Sequence, residues 1–322
     1  MLRLLLLFAA IIGMVGDADA AHPSVPALFS DGAAIKVTTV GVPLDVDDPQ
    51  RTAVGELRYR GGLELRSEDA RFGGLSGLTI DADGGSLTAI SDRGYWLLLR
   101  LVHVNGDLAG IAEAVIGELP FVRATPDSAD AEAMAPMFDG SVIVAFEREH
   151  RLMRYFMDGQ PPLPVAPPPG LSDMPSNGGI ESLARLPDGR LLMLAEQDTT
   201  DDGVLGWVRN VSGSWFQFEY LIDGGFRPTD AATLPGGDVL VVERRFPPLD
   251  VRLRRIAADT LEPGAAVSAE AVAHLGGGVT VDNMEGIAVC RDSDGRTLVY
   301  IVSDDNYSVF QRTLLLMFEL VD

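Results

Sequence analysis

One hairpin-shaped phrase recurs five times along this chain of 322 residues, and few folds accept such a repeat. The copies are GLSGLTIDADGGSLTAISDRG at 74–94, DAEAMAPMFDGSVIVAFER at 130–148, GGIESLARLPDGRLLMLAEQ at 178–197, RPTDAATLPGGDVLVVERR at 227–245 and DNMEGIAVCRDSDGRTLVYIVSDDN at 282–306. Each reads as two short apolar strands around a tight turn: Asp83-Gly84-Gly85, Asp139-Gly140, Pro187-Asp188-Gly189, Pro235-Gly236-Gly237 and Asp294-Gly295. Such turns suit an antiparallel reversal. The second strands (143–146, 191–195, 239–242 and 298–302) are continuously apolar, as expected where a sheet is covered on both faces. A hairpin repeat of roughly 50 residues predicts a β-propeller. The fold class is therefore all-β, with five or six four-stranded blades.

A sixth blade would have to come from 35–69, where the pattern is weak. Residues 55–60 and 63–66 alternate apolar with polar, as half-buried strands do. The last repeat has only about three strands of its own, so pairing of N- and C-terminal strands is expected to close the ring and remove exposed edges. The organisation read from this is a single propeller domain over 55–322, preceded by an irregular lead-in at 21–54. A proline-rich stretch at 161–170 reads as a stiff surface connection.

The repeats open and close on carboxylates or small polar residues. Aligned by residue type, the opening position is Ser76, Glu132, Glu181, Asp230 and Glu285; the closing position is Asp92, Glu147, Glu196, Glu243 and Asp304. In an antiparallel hairpin the first residue of one strand lies beside the last of the other. Circular arrangement of blades would then gather nine carboxylates at one mouth of the central channel. Like charges so placed raise one another's pKa unless something positive is present. Arg93, Arg148 and Arg244 directly follow closing acids, with Arg245 next after Arg244; a divalent cation is the other source of compensation. Oxygen-only ligands favour Ca²⁺ over Zn²⁺. The plainer alternative is that these acids bind backbone amides and fasten the blades.

The chain starts with a basic residue, Arg3, followed by an apolar run at 4–15 and an Ala18-Asp19-Ala20 site. This pattern predicts a signal peptide over 1–20, cleaved after Ala20, and a periplasmic or secreted protein. With 25 basic against 47 acidic residues and a formal charge of −22, nucleic acid and anionic membrane are poor partners. The expected partner is a small molecule, and the expected state a monomer. Cys290 is the single cysteine, and the four histidines show no metal-ligand spacing. No H-E-x-x-H or G-x-S-x-G occurs, and Ser76 has no histidine at a recognisable offset, so zinc-protease and serine-esterase readings lose ground.

The runs FGGLSGL, SDRG, DAEAM, GGIESL, RPTDAA and NMEGIAV together resemble the secreted bacterial family called "esterase-like activity of phytase", from about Phe72 to Leu320. The resemblance implies an exported propeller that hydrolyses phosphate or carboxylate esters. More distantly, the chain resembles calcium-dependent propeller phytases, whose acidic mouth holds Ca²⁺ bridging protein and substrate phosphate. The R-H-G-x-R-x-P pattern of histidine acid phosphatases is absent. In the hydrolase reading, Glu132, Glu181, Asp230 and Glu285 are catalytic groups or metal ligands. Asp92, Glu147, Glu196, Glu243 and Asp304 are further ligands, and Arg93, Arg148 and Arg244 grip the substrate. The competing class is a non-catalytic binding or scaffold propeller, in which the same charges lock blades together.

Overall fold

A computed structural model describes residues 31–122, 125–156, 160–200 and 202–321. The signal sequence read at 1–20 lies outside the described residues. Five antiparallel sheets follow one another along the chain. Blade 1 comprises Leu75–Ile80, Ser86–Ser91, Tyr95–Val104 and Asp107–Glu118; blade 2, Ala131–Pro136, Val142–Phe146, Arg151–Tyr155 and Leu163–Val165. Blade 3 comprises Ile180–Arg185, Leu191–Thr200, Gly203–Arg209 and Trp215–Leu221; blade 4, Arg227–Thr233, Val239–Arg245, Asp250–Ile256 and Glu270–His274. Blade 5 is built from Asn283–Arg291, Thr297–Asp304, Thr313–Leu320 and the N-terminal strand Leu57–Arg66. The first strand of each blade touches the first strand of the next, and that of blade 5 returns to blade 1. The molecule is a five-bladed β-propeller.

The core shows why the second strands are apolar on both faces. It divides into five clusters, one at each junction between blades. Leu87 and Leu97 of blade 1 meet Leu298 and Tyr300 of blade 5, and Leu240 and Val242 of blade 4 meet Ile287 and Ile301 of blade 5. Ile90 and Trp96 meet Val144; Ile143 and Ala145 meet Leu183; Leu192 and Leu194 meet Val239 and Val241. Successive residues of one strand thus serve two different junctions.

Closure joins the chain ends as expected. Leu57 pairs with Leu320 and Leu65 with Thr313. Phe318 is fully buried there, with its ring edge-on to Tyr59 at 5.6 Å. The segment weighed as a sixth blade instead supplies this closing strand, with Thr38–Gly41 and Ala53–Val54 added beside it. Ala33–Ala34 similarly extends blade 1.

The proline-rich stretch is more than a connection. Leu163–Val165 forms the outer edge of blade 2, where a proline's missing N–H leaves no ladder bond broken. Its continuation is pinned to blade 3 by Trp207 Nε1 and Gln217 Nε2, which donate to the Pro169 carbonyl at 3.0 and 2.9 Å. Among the described residues, no helix is long and apolar enough to cross a membrane.

Candidate functional site

The innermost strand of every blade carries one extra residue at the same level. Backbone pairing slips between Leu75 and Leu78, Ala131 and Ala133, Ile180 and Ser182, Pro228 and Asp230, and Met284 and Gly286. Such a bulge bends a strand and re-aims the side chain it carries. The bulged positions are Ser76, Glu132, Glu181, Thr229 and Glu285. Beside them, at the start of each hairpin ladder, lie Asp92, Glu147, Glu196, Arg244 and Asp304, facing Gly74, Asp130, Gly179, Arg227 and Asn283 respectively.

Blade 4 therefore departs from the alignment by residue type, which paired Asp230 with Glu181 and Glu243 with Glu196. Register places Thr229 and Arg244 at those two positions. Asp230 lies one residue deeper, buried on the channel axis. Glu243 is wholly buried on the other face of its strand, where Tyr220 Oη donates to it at 2.5 Å and Arg252 and Arg254 bond it as well. It fastens blade 4 to blade 3, and its partners leave it no part in the acidic mouth. Thr229 Oγ1 donates to the Met284 carbonyl at 2.9 Å, tying blade 4 to blade 5.

The remaining acids converge. Asp130, Glu132 and Glu147 each bring an oxygen to within 4.8 Å of the others. Glu147 Oε1 accepts the amides of Gly178 and Gly179 at 2.5 and 2.9 Å, and Asp130 Oδ2 accepts Arg148 Nε. Among the described residues, the second oxygen of each of these two groups has no hydrogen-bond partner, and Glu132 has none at either oxygen. This trio is therefore anchored from behind and open in front. Asp130 was not singled out in the sequence, although it begins the motif DAEAM and faces Glu147 across the hairpin.

Electrostatics mark the same place. Burial pushes Glu132 well above the usual carboxylate range, helped by Asp130, Glu147 and Glu285. Glu181 is raised for the same reason, with Glu132 and Glu196 as the strongest repelling charges. Burial lifts Glu285 to about 8 against the pull of Arg244, with Asp304 and Glu196 pushing further. Asp92 rises to about 7 through burial and the charges of Asp304 and Asp130, and Asp304 to about 6 mainly through burial. Asp92 Oδ1 is buried with no hydrogen-bond partner. It lies over Gly74, where a Cβ would sit 2.1 Å from that oxygen and where φ is +59°.

The three arginines play different parts. Arg244 stands inside the ring, 3.0 Å from Glu285 and 3.9 Å from Glu196. Arg148 is bound to Asp130, and Arg93 lies on the rim, its guanidinium 3.3 Å from the centre of the Tyr307 ring. His150, unassigned in the sequence, borders the trio. A Cβ on Gly179 would be 2.6 Å from its Nδ1, and its Nε2 is 2.8 Å from the Pro175 carbonyl. A carbonyl can only accept, so Nε2 carries the proton and the buried Nδ1 keeps a lone pair with no partner. Ser76 is buried at the bulge of blade 1.

The family model for phytase-like proteins, described as esterase-like activity of phytase, matches residues 70–307, well over half of the chain. The chain belongs to the phytase-like family. No curated protein matches it by sequence. Solved structures similar to this phytase-like chain include a Dyadobacter fermentans protein of unknown function, with 14% identity, 90% of this chain and 95% of that one covered, and a TM-score of 0.45. A Xanthomonas campestris gluconolactonase gives 11%, 90%, 98% and 0.44, and the major Malassezia sympodialis allergen Mala s 1 gives 13%, 89%, 96% and 0.43. These likenesses are too distant to bear on chemistry.

Proposed function

We propose that the acidic mouth is the active site of an exported, cation-assisted hydrolase acting on phosphate or carboxylate esters. The observation that carries this reading is the trio Asp130, Glu132 and Glu147, anchored from behind and offering open oxygens at the mouth of a phytase-like propeller. An all-carboxylate donor set suits a hard divalent cation, and Ca²⁺ fits it better than a metal preferring nitrogen or sulfur. Mutual repulsion within the trio is the cost that such an ion would relieve. Bound there, Ca²⁺ would polarise an ester oxygen and make a coordinated water more acidic.

The chain's own groups supply the rest. Glu285 and Asp92, raised to about 8 and about 7, can hold a proton near neutral pH and deliver it to a leaving oxygen. Arg244 is placed to meet an anionic substrate oxygen from the opposite side of the ring, and Arg93 to meet one at the rim. Glu181 stands between these groups and the trio as a further ligand or base.

The test is a hydrolase panel on the mature protein, with p-nitrophenyl phosphate and short acyl p-nitrophenyl esters, each with Ca²⁺ or with EDTA. Cleavage that EDTA abolishes and Ca²⁺ restores supports the reading. A second reading, a non-catalytic binding propeller, draws on Glu147 and Glu243, which already act as joints between blades. It takes over if Ca²⁺ raises the melting temperature by mass action while no ester is cleaved.

A further inference from the structure

One residue beyond the bulge, the five inner strands bring Gly77, Ala133, Ser182, Asp230 and Gly286 to a common level. The strands crowd here. A Cβ on Gly77 would lie 2.7 Å from the Met134 nitrogen, and one on Gly286 would lie 2.1 Å from the Ser76 carbonyl oxygen. Ala133 and Ser182 are completely buried. Of these five residues, only Asp230 has a side chain with a charged end to extend into the axis.

An innermost strand has no neighbour on its channel side, so alternate N–H groups point inward and need acceptors. The Asp230 carboxylate provides them. Its Oδ2 accepts the Ile287 amide at 2.8 Å and its Oδ1 accepts the Ala231 amide at 2.8 Å. The amides of Leu183 and Leu78 also face this carboxyl group and favour its charged form. Blades 1, 3, 4 and 5 thus each present one amide to a single carboxyl group that is 1% exposed; burial raises its pKa, and the four amides work against that rise by favouring the carboxylate. Beyond it lies a cavity of about 100 Å³, lined by Ala135, Ala184, Ala232 and Ala288 among others. Asp230 separates that cavity from the acidic mouth.

We propose that this level of the channel is a binding nest for a small carboxylate, filled by the protein's own Asp230. The bound carboxylate seals the channel beneath the mouth and fixes the level from which Glu181 and Glu285 project. The geometry links these roles, because the amides held are those of Leu183 and Ile287, two residues after each glutamate. The nest stands independently of any activity. Its effect on the mouth rests on the mouth being the cation site proposed above.

Asp230→Gly removes the equivalent of one acetate and leaves its hole. This variant is expected to melt about 5–10 °C below the wild type, because buried N–H donors lose their acceptor. Millimolar acetate or formate should restore most of that loss, yet leave the wild type and Glu132→Gln unmoved. Asp230→Asn presents an NH₂ group to N–H donors and should gain nothing from acetate. Without acetate, Asp230→Gly should also bind Ca²⁺ about 10–100-fold more weakly, as when a group supporting metal ligands is lost. Acetate should recover this affinity. If Asp230→Gly does not fold, hydrogen exchange on the wild type decides. The amides of Leu78, Leu183 and Ile287 should then exchange as slowly as sheet-ladder amides. Exchange within minutes would overturn the nest, as would a variant of wild-type stability or a loss that acetate leaves untouched. Acetate rescue in a protein that binds no Ca²⁺ would keep the nest and refute the cation site. Ca²⁺ binding by the wild type with no acetate rescue of Asp230→Gly would do the reverse.

Discussion

Arg244 occupies the ring position where the other four blades place an acid, and a single guanidinium there divides the mouth into two halves. Toward blades 3 and 5 it offsets Glu196 and Glu285. Toward blades 1 and 2, Asp92, Asp130, Glu132 and Glu147 crowd together with only Arg93 and Arg148 beside them. One divalent cation on the blade-2 side is therefore the expected stoichiometry. Replacing Arg244 with Gln should remove the restraint on Glu285, lift its pKa beyond about 8 and admit a second cation, which calorimetric titration would count. A stoichiometry still at one, with unchanged turnover, would deny Arg244 this role. Glu132→Gln has the opposite sense. In cation-free protein it relieves repulsion and should raise the melting temperature by a few degrees, while Ca²⁺ affinity falls at least tenfold. At this scale the sequence alignment put Glu132, Glu181 and Glu285 at equivalent positions, and backbone register puts all three at the bulges. The same alignment misplaced Asp230 and Glu243, because residue identity aligned an acid with an acid where backbone pairing aligns Thr229 and Arg244. Asp130 escaped notice because its position carries no acid in the other four blades, and His150 because it lies outside the repeated hairpin.

Strands and their joints were more legible than the side chains they carry. Turn residues and apolar runs mark the hairpins directly, since Gly and Asp at a reversal and an unbroken apolar strand between blades are local consequences of geometry. The bulges left no such trace: an added residue changes register without changing composition. The short last repeat exposed the need for a closing strand, and Leu57–Arg66 fills it against Thr313–Leu320. That seam carries an expectation of its own. Phe318 is wholly buried against Tyr59, Leu314 and Leu316, so Phe318→Ala should cost about 3–5 kcal/mol. Urea denaturation would measure it. A loss below about 1 kcal/mol would mean that the seam adds little to the closed ring.

For the whole molecule, the balance of charge gives stability an unusual pH dependence. Asp304, Asp92 and Glu285, at about 6, about 7 and about 8, hold protons in the folded cation-free protein at pH values where an unfolded chain has lost them. The native state therefore binds more protons than the unfolded state across this window, and stability must fall as pH rises through it. At the acid end the sign reverses. Asp45, Asp69, Asp139 and Asp292 are held below their ordinary values, Asp45 and Asp69 chiefly by arginine partners, and their contribution disappears as they protonate. Cation-free protein should consequently be most stable at about pH 5 and lose melting temperature steadily toward about pH 8.5. Ca²⁺ competes with the same protons, so its affinity should climb over that interval and, at saturation, flatten or invert the decline. Melting curves at a series of pH values, with EDTA and with excess Ca²⁺, separate the two contributions. EDTA-treated protein that grows more stable between about pH 5 and 8 would show that the mouth acids are ionised and compensated without a cation. The acidic ring would then be a set of joints, with its charges already satisfied by the chain itself.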